Sequence, residues 1–390
     1  MEHRFISKKH WKDAVTIMDE STKKFIKQED VIDLSLGVPD FITDWEISEK
    51  AMEDAKKGHT KYTESAGDPE LIREIVKLYN EKYDLAFKSE EIMTVVGACH
   101  GAYLSLQAVL DDGDEVIVHA PYFTPYEEQI KMAGGKMIVI DTSEDNEFNI
   151  DADKLKSSIT PRTKALMLNY PNNPTGAVFD RKLLEEIAQI AVDNDLLVIS
   201  DEIYDVFDYE NKFVPMVSLP GMKERTITLG SFSKGYAMSG WRIGFVIAPD
   251  FIINCMKSIN ENICYSAPSI SQRAAIYALR MRKRIQPLMI EEFKNRLNYC
   301  YKRINSIEGM SVMKPKAGIY LFPNIKETGM TSLEFSNLLL QEAKVIVIPG
   351  TAFGKCGEGH VRIACTVGAE KLKKAFDRIE KVLNKVKIEF

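Results

Sequence analysis

The sequence predicts an α/β protein: a large domain with a mostly parallel seven-stranded sheet between helices, plus a smaller α+β domain. Three observations carry this expectation. Between about residues 92 and 250, short apolar β-branched runs alternate with helical stretches, a pattern that forms parallel sheets covered on both faces. After about residue 280 the alternation gives way to long helices and short strand pieces. At 390 residues the chain exceeds what one core usually serves. Residues 1–45 are therefore expected as an arm that completes the small domain, 46–280 as the large domain and 281–390 as the small C-terminal domain.

Taken in order, residues 10–29 read as a helix before the strand-like 31–35, and Gly37-Val38-Pro39-Asp40-Phe41 is a turn cluster. Residues 44–57 are helical. Asp68-Pro69 opens a further helix as an N-cap followed by Pro at the first position, with Leu71, Ile72, Ile75, Val76, Leu78 and Tyr79 at helical spacing. Six strands are placed, at 92–96, 115–118, 136–140, 164–168, 196–199 and 226–229. The intervening helices cover 102–110, 124–132, 153–157 and 181–192, the first following a bend at Gly97–Gly101. Beyond the sheet, helices are expected at 287–306, 332–343 and 369–386. Strand pieces are expected near 311–323, 345–347 and 360–364.

Bulk composition excludes several function classes. Hydrophobic residues make up 45% and charged residues 28%, as in ordinary globular proteins, and the net charge of −6 comes without a basic stripe. No nucleic-acid partner is expected. Cys99, Cys255, Cys264, Cys300, Cys356 and Cys365 form no C-x-x-C pair, and no H-E-x-x-H is present, so no metal is expected. No apolar run reaches about 18 residues, and the stretch opening Met1-Glu2-His3-Arg4-Phe5 lacks an apolar core of signal-peptide length, so no membrane partner is expected and the location is read as cytoplasmic.

In parallel sheets ligands sit beyond the C-terminal strand ends. Those ends carry Gly97-Ala98-Cys99, Ala120-Pro121-Tyr122-Phe123, Asn169 to Gly176, Ser200 to Tyr204, and Ser231 to Lys234. Ser231, Ser233, Lys234 and Arg242 among small residues suit a phosphate. Lys234 either binds that phosphate or does covalent chemistry beside it. Asp201 ends an apolar run, where a carboxylate needs a partner: a structural ion pair, or the protonated ring nitrogen of a cofactor. Arg362 is either an ion-pair member or a bidentate clamp for a carboxylate. Gly350-Thr351-Ala352-Phe353-Gly354-Lys355-Cys356 misses the P-loop spacing and reads as a loop. No G-x-G-x-x-G follows a strand and no G-x-S-x-G appears, which disfavours dehydrogenases and α/β-hydrolases. His100 reads as a packed or capping residue rather than a base.

Together, Gly37–Phe41, Lys61-Tyr62, Pro171-Asn172-Asn173-Pro174-Thr175-Gly176, Ser200-Asp201-Glu202-Ile203-Tyr204, Ser231–Gly244, Pro349–Gly354 and His360-Val361-Arg362-Ile363 resemble the fold-type-I pyridoxal-phosphate aminotransferases, in the class that includes aspartate and aromatic aminotransferases. They fall in the family order over nearly the whole chain. The resemblance implies pyridoxal 5'-phosphate in the large domain, with Lys234 condensing with its aldehyde and shuttling protons. It implies Asp201 facing the ring nitrogen, Tyr204 and Asn173 on the phenolate oxygen, and Phe123 stacked on the ring. Ser231, Ser233, Arg242 and the amides of Ala98 and Cys99 would hold the phosphate. Arg362, Asn173 and the Gly37 amide would clamp the substrate carboxylate, and Tyr62 would reach the phosphate of the neighbouring subunit in a homodimer. The activity implied is ping-pong transfer of an amino group from an L-amino acid (aspartate, aromatic or alanine-like) to a 2-oxo acid, the alternative being a β-lyase or other α-carbon chemistry on the same fold. Cys99 stands where some aspartate-specific relatives carry a lysine, and a neutral side chain cannot pair with a second carboxylate.

Overall fold

In the computed structural model of the chain, residues 30–386 are described, together with Arg4, Phe5 and Ser7. The helix expected over 10–29 lies outside the described residues. The chain enters through β1 (Ile32–Asp33), α1 (Trp45–Lys56) and α2 (Pro69–Tyr83). It then alternates through β2 (Ile92–Val95), α3 (Ala98–Val109), β3 (Glu115–Ala120), α4 (Pro125–Met132), β4 (Lys136–Asp141), α5 (Ala152–Ser157), β5 (Thr163–Asn169), α6 (Arg181–Asp193), β6 (Leu197–Asp201), β7 (Thr226–Ser231) and β8 (Gly244–Ile247). The remainder is α7 (Asp250–Glu261), α8 (Ser269–Ser306), β9 (Tyr320–Leu321), α9 (Ser332–Leu338), β10 (Val345–Ile346), β11 (Ile348–Pro349), β12 (Val361–Ala364) and α10 (Ala369–Val386).

β2 to β8 form one seven-stranded sheet in the order β2-β8-β7-β6-β5-β3-β4. β8 is the strand not placed from the sequence, and it runs antiparallel to both β2 and β7. The other six point the same way, so the C-terminal ends of β2, β3, β5, β6 and β7 share one edge. The central strands are buried beyond their first residues, β5 from Ala165 and β6 from Val198 onward, as their apolar runs require. A second layer pairs β11, β12 and β9, while β1 pairs with β10. A separate core of Leu34, Leu297, Phe335, Ile363 and Phe376 joins these strands to α8, α9 and α10.

Helix starts follow the capping chemistry. Asp68 accepts from the Glu70 amide at 2.8 Å with Pro69 next in line, and Asp180 accepts from Leu183 at the same distance. Three expectations need correction. α3 begins at Ala98 rather than 102, because Gly97 at φ +80° turns the chain from strand to helix in one residue. The helix expected at 287 begins at Ser269 and runs for 38 residues straight through Pro287. Proline costs one backbone hydrogen bond, and burial of Ala274, Ala275 and Leu279 before it and Phe293 and Leu297 after it outweighs that loss. The stretch at 332–343 is α-helical only to Leu338 and finishes in a π-helical turn, Leu339–Ala343.

Candidate active site

The shared strand edge converges on a cavity of about 160 Å³. Gly37, Phe123, Asn173, Asp201, Tyr204 and Arg362 line it, with Lys234 reaching in from the turn after β7. Seven of the residues singled out from sequence thus meet in one place. Register accounts for part of this: Asn169 at the end of β5 pairs with Asp201 at the end of β6, and Asp201 pairs with Leu229 on β7.

Asp201 is fully buried, and burial pushes its carboxyl up to about 6. Its Oδ2 accepts from the Tyr126 hydroxyl at 2.5 Å, and Oδ1 takes only a long bond, 3.4 Å, from the Ile203 amide. Among the described residues no cation forms a salt bridge with it. A buried carboxylate without a counter-charge is costly, and Asp201 lines the cavity where such a charge could enter. The sequence left an ion pair or a ring counter-charge open, and the geometry excludes the first within the described residues.

Arg362 is equally buried. Nη1 donates to Asn173 Oδ1 at 3.0 Å and Nη2 donates to the Ser35 carbonyl, while Nε has no partner. The guanidinium lies 4.6 Å from the Tyr320 ring centre and 4.9 Å from that of Phe353, packed against both. No carboxylate pairs with it among the described residues, so it remains available for an anion in the cavity. Asn173 is fixed in turn: its amide donates to Asn169 Oδ1 at 2.8 Å, and Asn169 Nδ2 donates to the Asp201 carbonyl at 3.2 Å. Beneath them His119 Nε2 accepts from the Asn169 amide at 3.1 Å, which requires a neutral ring. Burial supplies it, lowering the imidazole to about 4.

Lys234 Nζ donates to the Gly37 carbonyl. Gly37 must be glycine here, since a Cβ would fall 1.8 Å from the Tyr320 hydroxyl. That hydroxyl lies 2.8 Å from the Tyr204 hydroxyl, so two phenols share the cavity wall.

Beside the cavity, Arg242, Ser231, Ser233 and the start of α3 come together, with Arg242 Nη1 donating to the Ser239 carbonyl at 2.8 Å. Arg242 adopts φ +52°, and a Cβ on Gly97 would sit 2.7 Å from its Nη2. Gly244 pairs with both Ser231 and Val95, and a Cβ there would lie 2.9 Å from the Ala98 amide nitrogen. Ser231 Oγ accepts from the Ser233 amide at 3.0 Å. The first turn of α3 has no side-chain cap, leaving the amides of Ala98 and Cys99 facing this cluster. Cys99 Sγ accepts from Gln129 Nε2 at 3.2 Å, and burial pushes the thiol up, so it is neutral. His100 Nδ1 accepts from the Val96 amide at 3.1 Å, tying the first turn of α3 to the end of the preceding strand.

Tyr62 does not join the cavity. It is 84% exposed and packs against Tyr265 at 5.1 Å. Two residues of the site were not legible in the sequence, Tyr126 and Tyr320. Tyr126 follows Phe123 by one helical turn, and that spacing is the one available signal. Among the described residues no group of three or more His, Cys, Asp or Glu side chains could hold a metal ion.

Residues 29–379 match the family model of class I and II aminotransferases. An aspartate aminotransferase of Pyrococcus abyssi is 45% identical over 364 residues, spanning 92% of this chain and 93% of that protein. Aromatic-amino-acid aminotransferase 2 of Thermococcus litoralis is 42% identical over 364 residues, again 92% and 93%. The crystal structure of an aromatic aminotransferase from Pyrococcus horikoshii superposes with a TM-score of 0.90 at 41% identity, covering 94% of this chain and 99% of that one.

Proposed function

The chain belongs to the class I and II aminotransferases, and from that premise we propose that it moves the amino group of an L-amino acid with an apolar or aromatic side chain to a 2-oxo acid, with pyridoxal 5'-phosphate as cofactor. The observation that carries the cofactor is Asp201, a buried carboxylate with no cation paired to it among the described residues, at the floor of a cavity that also holds a lysine amine. The residues fit the group. Asp201 would answer its ring nitrogen, the Tyr204 hydroxyl and Asn173 its phenolate oxygen, and Phe123 its face. Arg242, Ser231, Ser233 and the first amides of α3 would take its phosphate. When bound, the cofactor supplies an electron sink that makes the substrate Cα–H acidic.

The chain's own side chains do the rest. Arg362 binds the substrate α-carboxylate through the nitrogens that Asn173 and the Ser35 carbonyl hold in plane. This grip orients the Cα–H toward Lys234. Lys234 Nζ takes that proton as a general base and later returns it as a general acid. The Gly37 carbonyl, which accepts from Nζ, aims the amine.

The donor class rests on the cavity mouth. Leu36 and Val38 line it, 49% and 46% exposed, with Ile203 and Tyr320 nearby. Lys234 and Arg362 are the cations among the described lining residues, and each already has a task. Neutral Cys99 adds no charge for a second carboxylate. Tyr62 and Tyr265 stand out from the surface beside the half-exposed Ile263, as a contact with a second copy of the chain would require, and a homodimer with Tyr62 shared across it is part of the proposal. Six free thiols suit the cytoplasm.

Single amino acids given to the holoenzyme without an acceptor test this. Phenylalanine, tyrosine or leucine should release one equivalent of 2-oxo acid per chain and then stop until 2-oxoglutarate, pyruvate or oxaloacetate is added. Continuous ammonia release without an acceptor, or no release from any of the twenty amino acids, refutes transamination. Aspartate outperforming all apolar donors refutes the donor class alone.

A further inference from the structure

Tyr126 has no role in the reading above, yet its hydroxyl makes the shortest contact to the charged floor of the site. It sits in the first turn of α4, its ring 2% exposed, with Oη 2.5 Å from Asp201 Oδ2. Its ring meets that of Phe123 edge to face at 5.6 Å and 80°. One helical turn therefore supplies both the aromatic lining of the cavity and the principal donor to its carboxylate.

Resting on the aminotransferase reading, we propose that Tyr126 is a positioning residue that sets which atom, Asp201 or the ring nitrogen bound opposite it, keeps the proton they share. A carboxylate that accepts a strong hydrogen bond is a weaker base. The Tyr126 O–H lies on Oδ2, leaving Oδ1 of this cavity-lining residue with only the long Ile203 contact. Burial works the other way and is the larger influence, raising the Asp201 carboxyl's hold on a proton; of the two hydrogen bonds that oppose it, from Tyr126 and from the Ile203 amide, the tyrosine's is the stronger. Without it, burial acts almost unopposed and the proton moves toward Asp201. The tyrosine cannot itself become the acid, because burial and the adjacent carboxylate push its phenol far above the usual range.

The test is Tyr126→Phe, which keeps the ring and removes one oxygen, with holoenzyme reconstituted from pyridoxal phosphate labelled with ¹⁵N in the ring. The wild-type nitrogen should give the shift of a protonated pyridine. The variant should move toward the unprotonated value, reflecting a change of about 10- to 100-fold in the proton's partition. Its kcat should fall by a similar factor, with little change in KM. Tyr126→Leu serves as the packing control, and should lower the melting temperature as well, which Tyr126→Phe should not. An unchanged nitrogen shift in Tyr126→Phe overturns the inference, even if activity falls. Failure of the wild-type protein to bind the cofactor at all would instead overturn the functional reading on which the inference rests.

Discussion

Replacing Asp201 with asparagine should stabilise the cofactor-free protein while abolishing the activity of the holoenzyme. The folded-state carboxyl titrates at about 6, against 3.8 for the unperturbed group, with burial as the main cause. A carboxyl with a raised folded pKa binds more protons folded than unfolded between those values. Stability therefore falls as pH rises from about 4 to about 6 and stays at the lower level above. A shift of about two units corresponds to ~3 kcal/mol. The isosteric amide never ionises, so it escapes that cost but forfeits the charge-assisted bond from Tyr126, leaving a net gain of ~1–3 kcal/mol at pH 8. For a chain of this size that amounts to a rise of ~1–4 °C in melting temperature. Scanning fluorimetry of apo wild type and Asp201→Asn at pH 8 and at pH 4 measures it: the gap should be open at the higher pH and nearly closed at the lower. A variant less stable than wild type at pH 8, or a gap of equal size at both pH values, would refute the argument that Asp201 is a buried charge without a counter-ion. In the holoenzyme the order should reverse, because the cofactor's ring nitrogen supplies the missing partner.

Arg362→Lys removes the planar fork held by Asn173 and the Ser35 carbonyl, and should lower kcat/KM by about 100-fold, chiefly through KM for the donor, in steady-state assays. Gly97→Ala places a Cβ at φ +80° and 2.7 Å from Arg242 Nη2, so cofactor affinity by fluorescence titration should drop about 10-fold, with a stability loss of ~1–2 kcal/mol. Arg273→Met strands Asp54 and Asp68, which lie 2.7 and 3.2 Å from the guanidinium, together with Glu70. Denaturation should show a loss of ~3–5 kcal/mol with a normal donor preference in whatever fraction stays folded.

How far each feature could be read from the sequence depends on the range of the interactions that make it. Strand ends and helix caps are local. The apolar run before Asp201 and the Asp68-Pro69 start announce themselves within a few residues, and the structure agrees within a residue or two. Pro287 is the opposite case. Its local signal is to break a helix, and packing contributed by residues far away in sequence overrides that signal. β8 was missed because Gly244-Phe245-Val246-Ile247 directly follows a glycine-rich turn. Its strand character comes from hydrogen bonds to β2 and β7, themselves more than 130 residues apart.

The site divides along the same line. By itself the sequence determined the chemical kinds present: an amine at Lys234, an acid at Asp201 and a guanidinium at Arg362, each at the end of a recognisable local pattern. It also determined that a parallel sheet would bring the first two to one edge, whereas Arg362 comes from β12 of the smaller sheet. Only the tertiary structure decided which groups are paired and which are left wanting. Arg362 has Asn173 and Ser35 but no carboxylate, and Asp201 has Tyr126 but no cation among the described residues. Whether a charge is satisfied depends on neighbours that arrive from distant segments and on the water they exclude, and neither is written in the spacing of residues along the chain.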